Sequence, residues 1–274
     1  MPETIETRAT VLADSLSPAG HRLTTLEVTL HRFVLAEFNT HRAFSRNAGS
    51  SRATPVPVLI ERVRDHPAIP LSWTGEQRGM QGSDTLSDAQ VRLARALWLT
   101  ARDHAVAHAD TLHELGIHKS IVNRLLEPFA YVTLVVTATD WNNFYAQRCH
   151  PDAQPELRLA AEKMRQAHYS STPLAVDYND WHLPYIDDAT REECDDHPGR
   201  LRAISVARCA RVSARTFDGH TSTAADLDLY TRLVTAKPPH ASPLEHVATP
   251  CASECRGNLT GWQQLRHKVL DNQA

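Results

Sequence analysis

The stretch THRAFSRNAGSSR, residues 40–52, combines three arginines and three serines around Gly49. Guanidinium groups, hydroxyls and the exposed backbone N–H groups of a glycine-containing loop are donors suited to phosphate, because charge-assisted hydrogen bonds are stronger than neutral ones. A solvated surface loop has the same composition. The residues therefore indicate an anion-binding loop and leave a plain polar loop open as the alternative.

The segments on either side of this stretch predict both strands and helices. Leu26 to His31 alternates apolar and polar residues, which predicts a half-buried strand, and a helix or turn leads into Asn39. Residues 45–54 are expected to form a loop, as is the Pro- and Gly-rich segment 66–82. Ser87 and Gln90 form a capping-box pattern before a long amphipathic helix that ends near Gly116.

Residues 120–168 are predicted to be a helical segment. Arg124 lies in a Leu-rich run before Pro128, and its guanidinium is expected either to meet an anion or to reach the surface. The run Val132 to Thr137 is interpreted as a buried helix that continues at helical spacing towards Cys149. Another helix is expected from about residue 151 to 169, and residues 171–200 are expected to be mostly irregular.

The C-terminal third contains the motif His240-Ala-Ser-Pro-Leu-Glu-His246. Ser242 is expected to cap a helix that begins at Pro243, with Glu245 as the reciprocal cap. Capping does not explain the two histidines. Further helices are expected at residues 201–212, 224–234 and 261–270. With one strand and many helices, the chain is assigned to the α+β class, dominated by helices.

Composition excludes several classes of protein. The 274 residues carry a net charge of −3 with 42% hydrophobic residues, which is typical of a globular protein and not of a disordered chain or a bulk polyanion binder. Lysine occurs only four times, so most positive charge is arginine, and there are 16 histidines. The longest apolar run is too short to span a bilayer. The five cysteines at unrelated spacings and the polar N-terminus predict a cytoplasmic protein. From its charge and its apolar runs, it is expected to bind neither polymeric nucleic acid nor a membrane.

A metal site is a weaker candidate. His104 and His108 are one helical turn apart, but no HExxH or paired CxxC pattern accompanies them. A solvated helix face explains these residues better, and no metal ligand is assigned.

The first motif resembles the signature of the flavin-dependent thymidylate synthases (the ThyX family), Arg-His-Arg-x-x-Ser-x-Asn-x-x-Ser-x-Arg. Every fixed position matches except the first, which is Thr40. The segment with Arg124, Phe144, Arg148 and the Ala-Gln-Pro-Glu of residues 153–156 is similar to a second family block. The stretch Cys-Ala-Arg-Val-Ser, residues 209–213, and the His240 motif look like two further blocks.

The order of the blocks differs from that in most family members, where the last two precede the signature. The simplest explanation is a circular permutation, which proteins with neighbouring termini tolerate. The resemblance therefore implies a single ThyX-like catalytic domain over residues 1–274, with a circularly permuted α+β fold and an antiparallel sheet. It contains a signature loop at 37–52, the helical segment 120–168 and a permuted block at 204–246.

The resemblance implies a homotetramer that converts dUMP to dTMP with FAD, NADPH and methylene-tetrahydrofolate, without an enzyme cysteine as nucleophile. It implies catalytic roles for Arg148 and Ser50. The residues it places on FAD are His41, Arg42, Asn47, Asn143, His240, Ser242 and Glu245. The residues it places on the nucleotide are Glu37, Ser50, Ser51, Arg52, Arg124 and Arg148.

Three departures from the family pattern leave alternatives open. Thr40 replaces a cation, Glu37 stands where the family usually has Gln, and Ala48 replaces a usual Glu. A changed pocket fits a different pyrimidine such as dCMP, or a hydroxymethyl product. A non-catalytic flavin- or nucleotide-binding relative is the third alternative.

Overall fold

A five-stranded sheet lies at the centre of the protein. The computed structural model describes residues 6–79, 82, 84–212, 222–252 and 257–271. The strands are β1 (Arg8–Leu16), β2 (Arg22–His31), β3 (Ser45–Ala48), β4 (Tyr131–Ala138) and β5 (Leu174–Ala175), in the order β3-β4-β2-β1-β5. The α+β class is confirmed. The expected purely antiparallel sheet is wrong for one pair, because β1 and β5 are parallel, while the other neighbours are antiparallel.

The run Val132 to Thr137 is strand β4 and not the buried helix that we expected. Its β-branched side chains suit a strand, and they are buried on both faces of the sheet. Val132, Leu134 and Val136 pack into the main core, whereas Val135 packs with residues of the C-terminal third on the opposite face. Because both faces are covered, the run shows no strand alternation, and periodicity alone could not separate strand from helix.

Short and long helices surround the sheet. In chain order the helices are α1 (Leu35–Phe38), α2 (Val56–Asp65), α3 (Asp88–Glu114), α4 (Lys119–Val122), α5 (Asn142–Arg148), α6 (Pro155–Ser170), α7 (Asp188–Glu193), α8 (Pro198–Arg211), α9 (Thr223–Thr235) and α10 (Leu265–Asp271). Four short 3₁₀ segments among the described residues are Arg32–Val34, Ser51–Ala53, Asn123–Phe129 and Ser242–Glu245.

The main core lies between the sheet and α6. Leu26 and Val28 of β2 and Leu134 of β4 pack in one cluster with Leu157 and Met164 of α6, and all five side chains are fully buried. A second cluster joins α2, α3 and the 3₁₀ segment Asn123–Phe129. The latter segment contains Pro128, so helical structure continues through the proline in the tighter 3₁₀ form.

The predicted capping box of α3 is confirmed. The Ser87 hydroxyl accepts from the Gln90 backbone N–H, and the Gln90 side chain accepts from the Ser87 N–H at 3.0 Å. After the last turn, Gly116 has φ +77°, the left-handed conformation that glycine adopts readily at a helix end. At α4, however, His118 is the capping residue, because its imidazole accepts from the Ser120 N–H at 3.2 Å.

The C-terminal third departs from the sequence prediction at two points. Ser242–Glu245 is a short 3₁₀ segment in which the Ser242 side chain makes no cap, and the Glu245 carboxylate pairs with Arg266 instead of capping. The expected helix 261–270 is a short strand, β7 (Trp262–Gln264), followed by α10; β7 pairs with β6 (Ala248–Pro250). The segment 171–200 is mostly irregular, as expected, but includes β5 and α7. Residues 213–221 of the predicted block 204–246 lie outside the described residues.

Candidate active site

The signature residues form an edge strand and a tight connection, not only the loop that we expected. Ser45–Ala48 pairs with β4 as β3. Gly49 then donates its N–H to the Thr133 carbonyl at 2.8 Å. A Cβ on Gly49 would lie 3.3 Å from the Val212 carbonyl oxygen, so the absence of a side chain allows the end of α8 and β4 to approach here. The polar loop is therefore held by the sheet at one end.

Arg148 contacts His41 across 107 positions of sequence. The Nε–H of Arg148, the last residue of α5, donates to His41 Nε2 at 2.8 Å. The imidazole also makes an edge contact with the Phe144 ring, with centroids 4.9 Å apart. Burial, followed by the charges of Arg148 and Arg46, lowers the pKa of His41 to about 4. At neutral pH the imidazole is thus an uncharged acceptor that orients the guanidinium.

Thr40 also binds Arg148. Its hydroxyl donates to the Glu37 carbonyl at 2.7 Å and accepts from Arg148 Nη2 at 3.2 Å. The guanidinium is therefore fixed at two of its nitrogens by adjacent residues, Thr40 and His41. An arginine at position 40 would place a like charge beside Arg148, so the departure at Thr40 is accommodated by this contact.

A second cluster forms around the carboxylate of Glu127. Its Oε1 accepts from the Ser51 hydroxyl at 2.6 Å, from Arg32 Nη2 at 2.8 Å and from Arg124 Nη1 at 2.9 Å. The buried Asn123 amide holds the same connection by donating to the Ser51 and Thr54 carbonyls. Arg124 is therefore not a lone surface cation, since a neighbouring carboxylate partly compensates its charge.

A cleft opens beside this cluster. Its volume is about 470 Å³, within the range of small-molecule sites. Charged and apolar side chains line it, namely Arg32, Phe33, Leu35, Ala36, Asn39, Arg124, Glu127 and Pro128. Asn39 in turn accepts from Arg46 Nε at 2.8 Å, which links the cleft to β3. The cleft is large enough for part of a nucleotide and offers both donors and a carboxylate.

The C-terminal motifs pack against β3 and β4. Asn47 donates to the Cys209 carbonyl at 3.3 Å, and Gln264 donates both to Ser45 Oγ and to the Glu245 carbonyl. The Glu245 carboxylate, 2.5 Å from Arg266 Nη1, lies close enough to Arg46 to oppose the lowering of that arginine's pKa by burial. The signature, the block at residues 209–213 and the His240 motif thus lie close together at β3.

The comparison with protein families identifies the chain. The model of the thymidylate synthase complementing protein family (Thy1) matches residues 7–174. The chain belongs to this family. The match contains the signature residues and the Arg124 to Glu156 segment, whereas the motifs within residues 204–246 lie beyond it.

Solved structures give matches of different strength to the Thy1-family chain. The UMP/dUMP methylase PolB from Streptomyces cacaoi, solved with 5-Br UMP, shares the fold at 18% identity; the match covers 63% of this chain and 91% of that chain with a TM-score of 0.52. Thymidylate Synthase X from Helicobacter pylori, solved with FAD and dUMP, is 19% identical over 54% of this chain and 67% of that chain, with a TM-score of 0.39. No curated protein gives a significant match.

Several site residues predicted from the Thy1-family motifs remain without partners among the described residues. Arg42, Arg52 and His240 are exposed and have no side-chain hydrogen bond there, and the same holds for the side chains of Ser242 and Glu37. Asn143 is exposed on α5 and accepts from Gln147, while the half-buried Ser50 precedes the 3₁₀ segment Ser51–Ala53. The structure brings His41 and Arg148 together, and it brings Ser51 and Arg124 together at the cleft. Asn39, which lines the cleft, directly precedes Thr40, which contacts Arg148.

Sequence reasoning missed Glu127, Arg32 and Asn39. The signal for Glu127 was its position three residues after Arg124, the spacing of ion pairs on helical turns. In the sequence Glu127 directly precedes Pro128. Glu156 of the same block serves the fold, since its buried carboxylate accepts from the Leu71 N–H at 2.7 Å.

The described residues contain neither a candidate membrane-spanning helix nor a candidate metal cluster. No helix within them is long and apolar enough to cross a membrane. Within the same residues, His104 and His108 join no group of three or more side chains that could hold a metal ion.

Proposed function

We propose that this Thy1-family chain is a flavin-dependent methyltransferase that adds a methyl group to C5 of a pyrimidine nucleotide, with dUMP as substrate and dTMP as product. The contact of Arg148 with His41 carries the proposal. It joins Arg148, which the resemblance places on the nucleotide, to His41, which the resemblance places on FAD, although 107 positions separate them. Methylene-tetrahydrofolate is the proposed carbon donor and NADPH the proposed reductant.

The donor set near His41 suits FAD. Arg42 is an exposed cation without a partner among the described residues, and the neighbouring imidazole is uncharged with Nδ1 left to donate, because Nε2 accepts from Arg148. A cation and a neutral donor complement the diphosphate and the uncharged ring of the cofactor. Asn47, Asn143, His240, Ser242 and Glu245 are the other proposed FAD residues. In this family the bound flavin supplies the hydride for reductive methylation.

The protein's own contribution is orientation and electrostatics. Arg148, held by Thr40 and His41, has a fixed guanidinium that would polarise a pyrimidine carbonyl as negative charge develops on its oxygen. Arg52 is an exposed cation without a described partner and suits the nucleotide phosphate, with Ser50 and Ser51 beside it. Glu37 and Arg124 complete the proposed nucleotide residues.

Exposed apolar side chains support assembly into the proposed homotetramer. Leu115, Ile117 and Ile121, which lie within seven positions of sequence where α3 ends and α4 follows, are 71%, 39% and 61% exposed. Exposed apolar patches of this kind mark interaction surfaces. We also propose that the motif order arose by circular permutation, because Cys209 of the block 204–246 packs on the same strand, β3, as the signature.

Product analysis tests the proposal. Purified protein with FAD, NADPH and methylene-tetrahydrofolate is offered dUMP, UMP and dCMP separately, and the nucleotides are analysed by mass spectrometry. The expected product is dUMP enlarged by one CH2 group. Failure to bind FAD, or binding without turnover of any pyrimidine, would refute it. Arg148→Met is expected to abolish turnover while FAD remains bound, and Arg92→Met, on the exposed face of α3, is the matched control.

A changed product is the second candidate, favoured by the contact of Thr40 with Arg148. Position 40 carries a hydroxyl where the family signature has a cation, so the proposed substrate site has one positive charge fewer beside Arg148. The same experiment detects this outcome as methylated or hydroxymethylated dCMP or as hydroxymethylated dUMP.

A further inference from the structure

The geometry points to Glu127 as the residue that selects uracil over cytosine, through a hydrogen bond from the ring N3–H to its free carboxylate oxygen. This inference rests on the proposed function, since it assigns specificity within the same nucleotide site. Glu127 is not a fixed position of the family signature, and its sequence context predicts no role for it.

The two carboxylate oxygens of Glu127 have different surroundings. Oε1 is saturated, because Ser51 Oγ, Arg32 Nη2 and Arg124 Nη1 all donate to it at 2.6 to 2.9 Å. No described residue donates to Oε2. The Glu127 side chain lines the 470 Å³ cleft and is 22% exposed, so an acceptor remains available at the wall of the cleft.

The charge at this end of the cleft disfavours a phosphate. Arg32 and Arg124 could attract a dianion, but the carboxylate between them would face it at close range, and like charges in a partly buried site repel strongly. A neutral ligand group that carries a donor has no such conflict. The phosphate is better served by Arg52, which has no described carboxylate partner.

Glu127 and Arg124 together present an acceptor beside donors. Arg124 uses only Nη1 on Glu127, so its Nε and Nη2 hydrogens stay available to a ligand among the described contacts. The edge of a pyrimidine offers the complementary pair. Uracil has N3–H next to a carbonyl oxygen, and cytosine has its amino group next to the N3 lone pair. At N3 itself uracil therefore presents a donor and cytosine a lone pair. A base held with N3 against the free oxygen of Glu127 forms a hydrogen bond as uracil and meets a repulsive lone pair as cytosine.

The variant Glu127→Gln inverts the hydrogen-bonding character of the free position. Three donors converge on Oε1, so the amide carbonyl must take that place, and the NH2 group then occupies the place of Oε2. An acceptor towards the cleft becomes a donor, with almost no change in volume. The variant therefore faces the N3–H of uracil with a mismatched donor and the N3 lone pair of cytosine with a matching one.

The test is the ratio of the Kd values for dUMP and dCMP, measured by calorimetry on the full chain without turnover. The wild type is expected to prefer dUMP, and for Glu127→Gln we expect the ratio to move by about tenfold or more towards dCMP, the usual size of a hydrogen bond to a charged group. Glu127→Ala, which offers neither donor nor acceptor, should bring the ratio towards one. Glu61→Gln, an exposed residue on α2, is the control and should leave the ratio unchanged.

The outcomes separate this inference from the proposed function. A structural role of Glu127 alone would weaken both nucleotides equally, so an unchanged ratio in the variants would overturn the inference while the function stands. Wild-type protein that binds neither nucleotide would overturn both. A ratio that shifts only in the Glu127 variants would support the assignment.

Discussion

Replacement of Arg148 by methionine is expected to raise the pKa of His41. The Arg148 Nε–H donates to His41 Nε2 at 2.8 Å, so it both occupies the nitrogen that would take the proton and adds a like charge to the protonated ring. The pKa of His41 is about 4, and burial is the largest cause, followed by Arg148 and Arg46. A methionine side chain at this position would keep the apolar stem and remove both the donor and the charge.

The size of the effect follows from electrostatics. Two unit charges about 4 Å apart repel by about 4 kcal/mol at an effective dielectric of about 20. Since the His41 side chain is only partly buried, solvent screening reduces this to about 1 to 2 kcal/mol. One pKa unit corresponds to about 1.4 kcal/mol, so we expect the pKa of His41 to rise by about one and to remain below about 6.5, because burial is unchanged.

The assay is an NMR titration of histidine ring signals in wild type, Arg148→Met and the control Arg92→Met. His41 is assigned by the signal lost in His41→Gln. A wild-type pKa near about 6.5, the ordinary value for histidine, or a pKa that does not respond to Arg148→Met, would refute the direct contact between the two motifs. Arg92→Met, which removes an exposed charge on α3, should leave the titration unchanged.

Three other predictions concern stability and the departure at position 40. Burial lowers the pKa of both His182 and His246 to about 3. Between pH of about 3 and about 6.5 the unfolded chain therefore binds more protons than the folded protein, and at pH of about 5 the free energy of unfolding should be lower than at neutral pH by about 2 kcal/mol for each histidine. Urea titrations at these two pH values measure the difference. Asp226→Asn leaves Arg208 and Arg211 without their buried carboxylate and should lower the free energy of unfolding by about 3 to 5 kcal/mol in the same titrations. The exposed Asp228→Asn is the control and should leave it almost unchanged. Thr40→Val removes an acceptor from the guanidinium of Arg148 and should lower kcat/KM for the proposed reaction about three- to tenfold, whereas Thr40→Ser keeps it; equal losses in both would contradict a role for the hydroxyl.

The fold could be predicted where local signals agree with packing. β2 was visible from alternation, and α3 from its Ser87 and Gln90 capping box, because each depends on residues close in sequence. β4 was not, since a strand buried on both faces lacks alternation and its neighbours along the chain are helical. The cap expected at Ser242 failed because Arg266, far along the chain, takes the Glu245 carboxylate.

The sequence predicts candidate site residues but not the pairs that they form. The motif resemblance gave His41 and Arg148 separately, and nothing in the sequence states that they touch. Glu127 was overlooked because a glutamate before a proline has no motif of its own. Its importance depends on Arg32 and Ser51, which only the packing of the sheet edge against the 3₁₀ segment Asn123–Phe129 brings together.

The most direct test of the proposed chemistry is release of tritium from C5 of labelled dUMP. With FAD, NADPH and methylene-tetrahydrofolate present, we expect wild-type protein to release tritium to water in step with the formation of dTMP. Arg148→Met should release none, whereas the control Arg92→Met should release it as the wild type does. Protein that binds FAD and dUMP but leaves the tritium on C5, with all three cosubstrates present, would contradict methylation at C5 by this chain.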